Sequence, residues 1–330
     1  MEQSFFVAIH KNDNILKHSS SGGAFTAITD VWSEKYQNNA VVYGCILDEN
    51  LKAVHVRATD ESGRNLMRGS KYISSDILSV FQMAENDLRD GLYVVFSGTP
   101  CQIAGLKSYL KVRKTECAEK LLTVDIICHG VGSNVFFDDY IAHLEKSRKS
   151  KAISCNFRAK SGPGKIQDME VLFRNGKKYN ASSTRYDWFY SAYNKNLILR
   201  PSCYTCKYAK KERVSDISIA DSWGVDFGEN GKLGSLVIAN TEHGFEVLNS
   251  SLDKMEYKEI TFEEICQLHL SVSATRPDNY DEFWSVYEKD GYMAAQKFIG
   301  NNTLKGRTKY FAAYVLNKFH LIEPIKKLKK

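Results

Sequence analysis

Hydrophobic and polar positions alternate in the first part of the chain and then change to helical spacing. The segment AVVYGCILDENLKAVHVRATD alternates on both sides of an Asp-Glu-Asn turn, which predicts a β-hairpin. The later segment DILSVFQMAENDLRDG has apolar residues at helical spacing and ends on Gly91, a residue that favours a helix C-terminus. Two paired strands and a later helix are therefore predicted.

Two later segments repeat one plan, a buried strand followed by a loop and a helix. They are LYVVFSGTPCQIAGLKSYL and LLTVDIICHGVGSNVFFDDYIAHLEK, the second with Ser133 or Asn134 as its expected helix N-cap. Further strands are predicted in SDISIADSW and SLVIAN, and a hairpin on the Asn175-Gly176 turn of DMEVLFRNGKKYNAS. This order predicts an α/β fold: a mixed sheet with flanking helices and inserted β-hairpins, plus a helical C-terminal tail.

Positive charge is concentrated near the C-terminus. The net charge is +6, and residues 304–330 hold eight Lys or Arg against Glu323, a local +7 that leaves −1 elsewhere. A general nucleic-acid-binding surface is therefore not expected. The tail also carries an apolar stripe at helical spacing, formed by Phe311, Val315, Phe319 and Ile322. We interpret this stripe as the buried face of a helix that packs on the domain. The alternative is that the tail docks to an acidic electron donor such as a ferredoxin. Binding to an anionic membrane surface is a weaker alternative.

The N-terminal segment has neither a basic region nor a small-residue cleavage site, and no window approaches the ~18 apolar residues that span a bilayer. A cytoplasmic protein is therefore predicted. In that compartment the eight cysteines stay reduced, so they suit metal or redox chemistry better than disulfides. Cys45 and Cys155 lie in strand-like runs and are expected to be core residues.

Two segments could bind an anion. HSSSGGAFTAITDVW places serines and glycines ahead of a helical pattern, which suits either a phosphate site or a plain N-cap turn. MRGSKYISS could hold a phosphate-bearing cofactor or be a solvated helix start. No G-x-G-x-x-G follows a strand, and SGPGK lacks the spacing of a P-loop. Common NAD and ATP motifs are thus disfavoured.

Four cysteines lie at positions suited to a shared centre. Cys101 and Cys128 each follow a predicted strand, and ligands collect at the carboxyl ends of neighbouring strands in α/β sheets. Cys203 and Cys206 form a tight C-x-x-C pair. Four thiolates suit a [4Fe-4S] cluster or an all-thiolate zinc site. Zinc sites usually combine two C-x-x-C pairs, whereas only one pair is present here and the other two cysteines lie far apart in the chain, which favours the cluster. A thioredoxin-like redox dithiol is the third interpretation of Cys203 and Cys206. The neighbouring His129 could carry protons, hydrogen-bond to cluster sulfur or be an ordinary loop residue.

The sequence resembles the coenzyme F-420 hydrogenase/dehydrogenase beta subunit family, which includes hydrogenase and formate dehydrogenase beta subunits and a chlorophyll-cycle reductase. The resemblance extends from SSSGG to RPDNYDEFW. It rests on SSSGGAFTAI, RGSKYISSD, FSGTPCQIAGLKSYL, LLTVDIICHGV, FRNGKKY and RPSCYTCKYAKKERVSDISIADSWG. It implies a flavoprotein with FAD and at least one [4Fe-4S] cluster, in which a soluble cofactor exchanges a hydride with the flavin and the cluster exchanges single electrons.

The resemblance also implies site residues and an order along the chain. The flavin-lining residues would be Ser21, Gly22, Gly23, Gly69, Ser70, Lys71, Tyr72, Gly98, Thr99 and Pro100. The cluster ligands would be Cys101, Cys128, Cys203 and Cys206. Residues 1–80 would carry the flavin-binding loops, residues 81–285 the cluster ligands, and residues 286–330 the basic tail.

The sequence departs from many relatives in lacking an N-terminal C-x-x-C-x-x-C run. Electrons would then come from a separate protein, such as a partner subunit, or from the substrate. The soluble cofactor that exchanges the hydride would be a deazaflavin or a nicotinamide, and the sequence does not decide between them. Two other interpretations stay open: a scaffold with a four-cysteine zinc site, and a flavin-free family member kept for interaction.

Overall fold

The computed structural model describes residues 2–77, 79–116, 119–160, 168–182, 187–225, 233–300 and 308. The SGPGK segment and, apart from Thr308, the basic tail predicted for residues 304–330 lie outside the described residues.

The strands are β1 (Ser4–His10), β2 (Ala40–Leu47), β3 (Ala53–Ala58), β4 (Tyr93–Gly98), β5 (Leu121–Ile126), β6 (Ala152–Ala159), β7 (Asp168–Phe173), β8 (Lys178–Ser182), β9 (Ile217–Asp221), β10 (Ser235–Ala239) and β11 (Met255–Ile260). The helices are α1 (Asp13–His18), α2 (Ala24–Tyr36), α3 (Glu61–Leu66), α4 (Val80–Arg89), α5 (Pro100–Val112), α6 (Asn134–Arg148), α7 (Trp188–Asn194), α8 (Glu242–Leu252), α9 (Tyr280–Asp290) and α10 (Tyr292–Ile299). Short 3-10 turns cover Gln37–Asn39, Pro201–Cys203, Phe262–Glu264 and Leu268–Leu270.

Within the described part of the chain, eight strands form a mixed sheet in the order β11-β1-β10-β9-β5-β4-β2-β3. Strands β2, β4, β5 and β9 run parallel, and the outer strands pair antiparallel. A smaller antiparallel sheet has the order β6-β7-β8. The predicted α/β class with a mixed sheet, flanking helices and inserted hairpins is confirmed, and α9 and α10 are helical as expected near the C-terminus.

The parallel strands are buried on both faces, which explains their continuous apolar runs. Val42 of β2 packs on one face with Ile28 and Trp32 of α2. Its neighbours Val41 and Tyr43 pack on the other face with residues of α4 and α5. The large sheet is therefore a central layer between two layers of helices.

The smaller sheet has its own aromatic core. Phe157 of β6 is buried with Phe136 of α6, Phe189 of α7 and Phe283 of α9. Cys45 and Cys155 pack against this cluster from their strands, in agreement with the expected core role.

Local predictions were accurate where the pattern was regular. The hairpin of β2 and β3, the helix end near Gly91 (φ +87°) and the Ser133 N-cap, which accepts a hydrogen bond from Phe136 N, are confirmed. The pattern of apolar and polar residues did not predict β1 and β11. Among the described residues, no helix is both long enough and apolar enough to cross a membrane.

A buried ion pair fastens the C-x-x-C segment to the sheet. Arg213 Nη2 donates to Asp125 Oδ1 of β5 over 3.0 Å, and the two side chains are 1% and 0% exposed. Arg213 also donates to the carbonyl of Tyr208 and to Ser218 Oγ. Burial raises the pKa of Asp125, and Arg213 opposes this effect. The pair therefore fixes the chain after Cys206 beside the end of β5.

We expect Arg213→Met to lower the free energy of unfolding by about 3–5 kcal/mol, because it leaves Asp125 buried without its partner. Denaturant unfolding measures the loss. The exposed Lys210→Met is the matched control and should change stability by less than about 0.5 kcal/mol. Equal effects of the two substitutions would contradict the anchoring role.

Candidate functional site

A cavity of about 840 Å³ opens at the carboxyl ends of β4, β5 and β9. Its walls include Gly98 of β4, Ile126 of β5 and Asp221 of β9. This is where α/β sheets bind ligands, and the volume suits a cofactor-sized molecule. Eight of the ten predicted flavin-lining residues reach it: Ser21, Gly23, Gly69, Ser70, Lys71, Tyr72, Gly98 and Thr99.

The serine-glycine turn places the N-terminus of α2 against the cavity. Gly23 is the N-cap of α2 and has φ +85°, a left-handed conformation that favours glycine. Gly22 is not among the lining residues: a Cβ there would lie 2.2 Å from the Ala8 carbonyl oxygen and 2.5 Å from Ser235 N. Gly22 is therefore needed for packing against β1 and β10 rather than for reaching a ligand.

The Gly69-Tyr72 segment lies beside this turn. Ser70 N donates to Ser20 Oγ over 2.9 Å, which joins the two predicted anion-binding segments. Lys71 Nζ donates to the carbonyls of Met67 and Arg68 over 2.9 and 3.0 Å. Burial lowers the pKa of Lys71 to about 8. The cavity therefore contains a desolvated cation without a carboxylate partner among the described residues.

The Gly98-Thr99-Pro100 loop connects the cavity to the first cysteine. Thr99 and Gln102 form a capping box at the start of α5, which fixes the loop. Thr99 Oγ1 lies 3.1 Å from Cys101 Sγ. Pro100 is buried in the first turn of α5 and does not line the cavity.

The structure brings the four predicted cysteines into mutual electrostatic contact. Burial raises the pKa of Cys128, and charges on Cys203, Cys101 and Cys206 raise it further. Backbone amides oppose the rise, that of Gly130 at Cys128 and that of Val131 at Cys203. Four ionised thiols at this position would therefore need a bound cation.

The four cysteines differ in what they face. Cys128 lines the cavity, whereas Cys101 is exposed at the protein surface. Cys203 ends the Pro201–Cys203 turn, and both Cys203 and Cys206 are half-buried outside the cavity lining. No three His, Cys, Asp or Glu side chains within the described residues surround a single metal-ion position. In a four-iron cluster each cysteine binds a different iron, so this absence does not oppose the cluster.

The sequence analysis missed a buried ion pair in the cavity wall. Arg158 of β6 donates to both carboxylate oxygens of Asp221, over 3.0 and 2.7 Å. Ser21 Oγ also donates to Asp221. This network joins the smaller sheet, the large sheet and the serine-glycine turn around the cavity. The position of Asp221 at the end of a predicted strand was a usable signal, whereas Arg158 had none.

Comparisons with known proteins agree with this architecture. A chain from the F420-reducing [NiFe] hydrogenase complex of Methanosarcina barkeri, solved as a xenon derivative, superposes with a TM-score of 0.55 at 19% sequence identity. The match covers 89% of this chain and 90% of that chain. At this identity the likeness shows a common fold. No curated protein sequence matches the chain.

The family assignment comes from sequence. The family model for the C-terminal part of the coenzyme F420 hydrogenase/dehydrogenase beta subunit matches residues 92–264, more than half of the chain. This range contains β4, β5, β9 and the four cysteines of the candidate site. The chain therefore belongs to the coenzyme F420 hydrogenase/dehydrogenase beta subunit family, whose name indicates a redox role.

Proposed function

We propose that this protein is an oxidoreductase that passes electrons between a hydride-carrying soluble cofactor or substrate and a one-electron partner, with FAD and a [4Fe-4S] cluster as its redox groups. Cys101, Cys128, Cys203 and Cys206 would hold the cluster. The flavin would supply the exchange between hydride and single-electron chemistry. The hydride carrier would be a deazaflavin or a nicotinamide.

The observation that carries this proposal is the position of the four thiols between the cavity and the protein surface. Cys128 faces the cavity and Cys101 is exposed, while the interactions of Cys128 with the other three thiols join them into one group. The backbone amides of Gly130 and Val131 oppose the rise in the pKa of Cys128 and Cys203, and amides near a cluster's sulfurs tune its potential. A centre held here would link the cavity with a protein partner outside.

The cavity wall also fits a dinucleotide with a pyrophosphate. The N-terminus of α2 and the Lys71 ammonium group both line the wall, and both favour a phosphate. The carbonyl bonds of Lys71 hold its ammonium group in place. These residues would bind the phosphates and orient the ring.

Basic residues flank Cys203 and Cys206 in the chain, and the surface that they form would suit an acidic electron-transfer protein such as a ferredoxin, or an acidic partner subunit. We define this cluster-side surface by Arg200, Lys207, Lys210 and Lys211, all exposed. None of them forms an ion pair among the described residues, and Glu212 is the one acid between positions 200 and 213. Positive charge around an exposed redox centre would steer an acidic partner to it.

Lys211 is held in position at this surface. Its Nζ lies 4.2 Å from the centre of the Phe262 ring, so less side-chain freedom is lost when a partner binds. The predicted role of the basic tail in docking stays a prediction, because the tail lies outside the described residues.

We expect anaerobically purified protein to contain about four iron and four sulfide per chain, as one cluster held by four thiolates requires. Cys203→Ser and Cys206→Ser should lose the cluster absorption. Cys45→Ser and Cys155→Ser are the matched controls and should keep it, because neither thiol is among those that interact with Cys128. Cys155 packs against the core from β6, and Cys45 lies in β2 and lines the cavity. One equivalent of zinc with negligible iron would instead support the zinc scaffold.

We expect Lys71→Met to raise the stability of the cofactor-free chain at pH 7 by about 3 kcal/mol, because it removes a charge that folding desolvates. The folded pKa of about 8 lies below the unfolded value, so wild-type stability should rise between pH 8 and 10.5. The advantage of the variant should shrink over the same range. Its affinity for FAD should fall.

Urea unfolding at pH 7 and pH 9.5, with FAD titrations at pH 7, checks both effects. The exposed Lys17→Met is the control and should change neither quantity. A Lys71 variant that is less stable than wild type at pH 7 but binds FAD normally would refute the proposed role.

We expect Lys207→Glu, Lys210→Glu and Lys211→Glu together to weaken binding of a [2Fe-2S] ferredoxin by at least ~10-fold at low salt, and to flatten the salt dependence of its Kd. The matched control reverses Lys146, Lys177 and Lys289, which are exposed elsewhere. This control has the same net charge as the first triple variant, and it should bind the ferredoxin almost as tightly as wild type does. Equal losses in both triple variants would indicate an effect of total charge rather than a docking surface.

A further inference from the structure

Two histidines that the cluster and flavin assignments leave unused form a stacked pair in the cavity wall. His129 follows Cys128, and His269 lies in the distant Leu268–Leu270 turn; both line the cavity. Their ring centroids are 4.6 Å apart and the planes differ by 11°. Nothing in the sequence around His269 signalled this contact.

The hydrogen-bond partners fix the tautomer of His129. Asn196 Nδ2 donates to the Thr275 carbonyl over 2.9 Å, so the other atom of the amide, Oδ1, faces His129 Nε2 at 2.7 Å. This oxygen can only accept, so Nε2 of His129 carries the hydrogen. In the neutral ring, Nδ1 then has a free lone pair.

In His269 the two ring nitrogens have the opposite roles, with the hydrogen on Nδ1. His269 Nδ1 lies 3.1 Å from the Val272 carbonyl oxygen, which can only accept, so Nδ1 carries the hydrogen. Nε2 of His269 is then the lone-pair acceptor. No hydrogen bond to His129 Nδ1 or His269 Nε2 is formed by the described residues.

The pair thus offers two acceptors and no free donor. The part of the wall formed by the α2 N-terminus and Lys71 instead offers donors for an anion. A ligand that satisfies the histidines must present N–H or O–H groups near Cys128. Trp223 and Leu268, 43% and 65% exposed, line the same cavity and add apolar surface for a flat ring.

We propose that His129 and His269 form a recognition site for the N–H edge of a planar redox ring in this part of the cavity. Flavins and deazaflavins carry an imide N–H beside ring carbonyls, and nicotinamide carries a carboxamide N–H beside its carbonyl. The shared chemistry is an N–H donor next to a carbonyl on a flat ring. This inference rests on the proposed function, in which the cavity takes such a ring.

Ligands in which a methyl group replaces the donor test the inference on the full wild-type chain. The two pairs are FAD with N3-methyl-FAD, and NADH with reduced 3-acetylpyridine adenine dinucleotide. In at least one pair the N–H ligand should bind ~10-fold more tightly, the effect of one buried hydrogen bond that loses its donor. The pair that shows the preference identifies the ring.

Substitutions of the histidines test the same bond from the protein side. His269→Phe and His129→Phe keep a flat ring in the stack but remove an acceptor, so at least one of them should reduce the ~10-fold preference to near unity. His143→Phe, on α6 and outside the cavity lining, is the matched control and should retain it. Melting curves identify any variant that fails to fold, and the wild-type ligand comparison does not depend on the variants.

The results distinguish failure of the histidine recognition site from failure of the proposed redox function. Equal binding within both ligand pairs, or a preference that survives in both folded histidine variants, would overturn the recognition site and leave the proposed function standing. If none of the four ligands binds to wild-type protein, and a deazaflavin does not bind either, the proposed redox-ring cavity itself is wrong.

Discussion

The parallel pairing of β4, β5 and β9 is the constraint on which the rest of the structure depends. Val124 of β5 pairs with Ile217 of β9, and Val94 of β4 pairs with Leu121 of β5. Parallel neighbours end at the same edge of a sheet, so the loops after them are brought together. The Cys101 helix start, the Cys128 loop and Asp221 meet there as a direct consequence.

Holding these loops together requires burial of charge, and the protein pairs the charges that it buries. Arg213 with Asp125 fixes the C-x-x-C segment, and Arg158 with Asp221 joins the two sheets at the cavity. Such pairs are costly to desolvate, but each is costlier to break, so they impose one arrangement on the loops. Lys71 differs, because its charge is desolvated without a carboxylate among the described residues. A charge in that condition is typical of a binding site.

The cavity has distinct chemical regions that suit one extended ligand or two adjoining ones. The α2 N-terminus and Lys71 favour an anion, while the imidazole acceptors of His129 and His269 favour a hydrogen-bond donor. Cys128 lies next to His129, so the donor-binding region adjoins the candidate cluster. The residues of the basic cluster-side surface flank Cys203 and Cys206 in the chain.

The sequence by itself determined the regular elements and the candidate cysteines. Period-two alternation specified β2 and β3, and strand-loop-helix patterns placed Cys101 and Cys128 at strand ends, because local periodicity records which face of an element is buried. It failed for β1, a short continuous apolar run, and for β11, an edge strand whose middle four residues are all exposed. In neither strand does burial alternate along the chain.

Only the tertiary structure decided which side chains meet around the cavity. Gly22 packs on the backbone of β1 and β10, Arg158 reaches Asp221 from another sheet, and His269 stacks on His129 across 140 positions of the chain. These contacts depend on strand order and on packing between layers, which local spacing does not encode. The sequence therefore determined what the elements are and where the thiols stand, whereas the packing of the two sheets determined what faces the ligand.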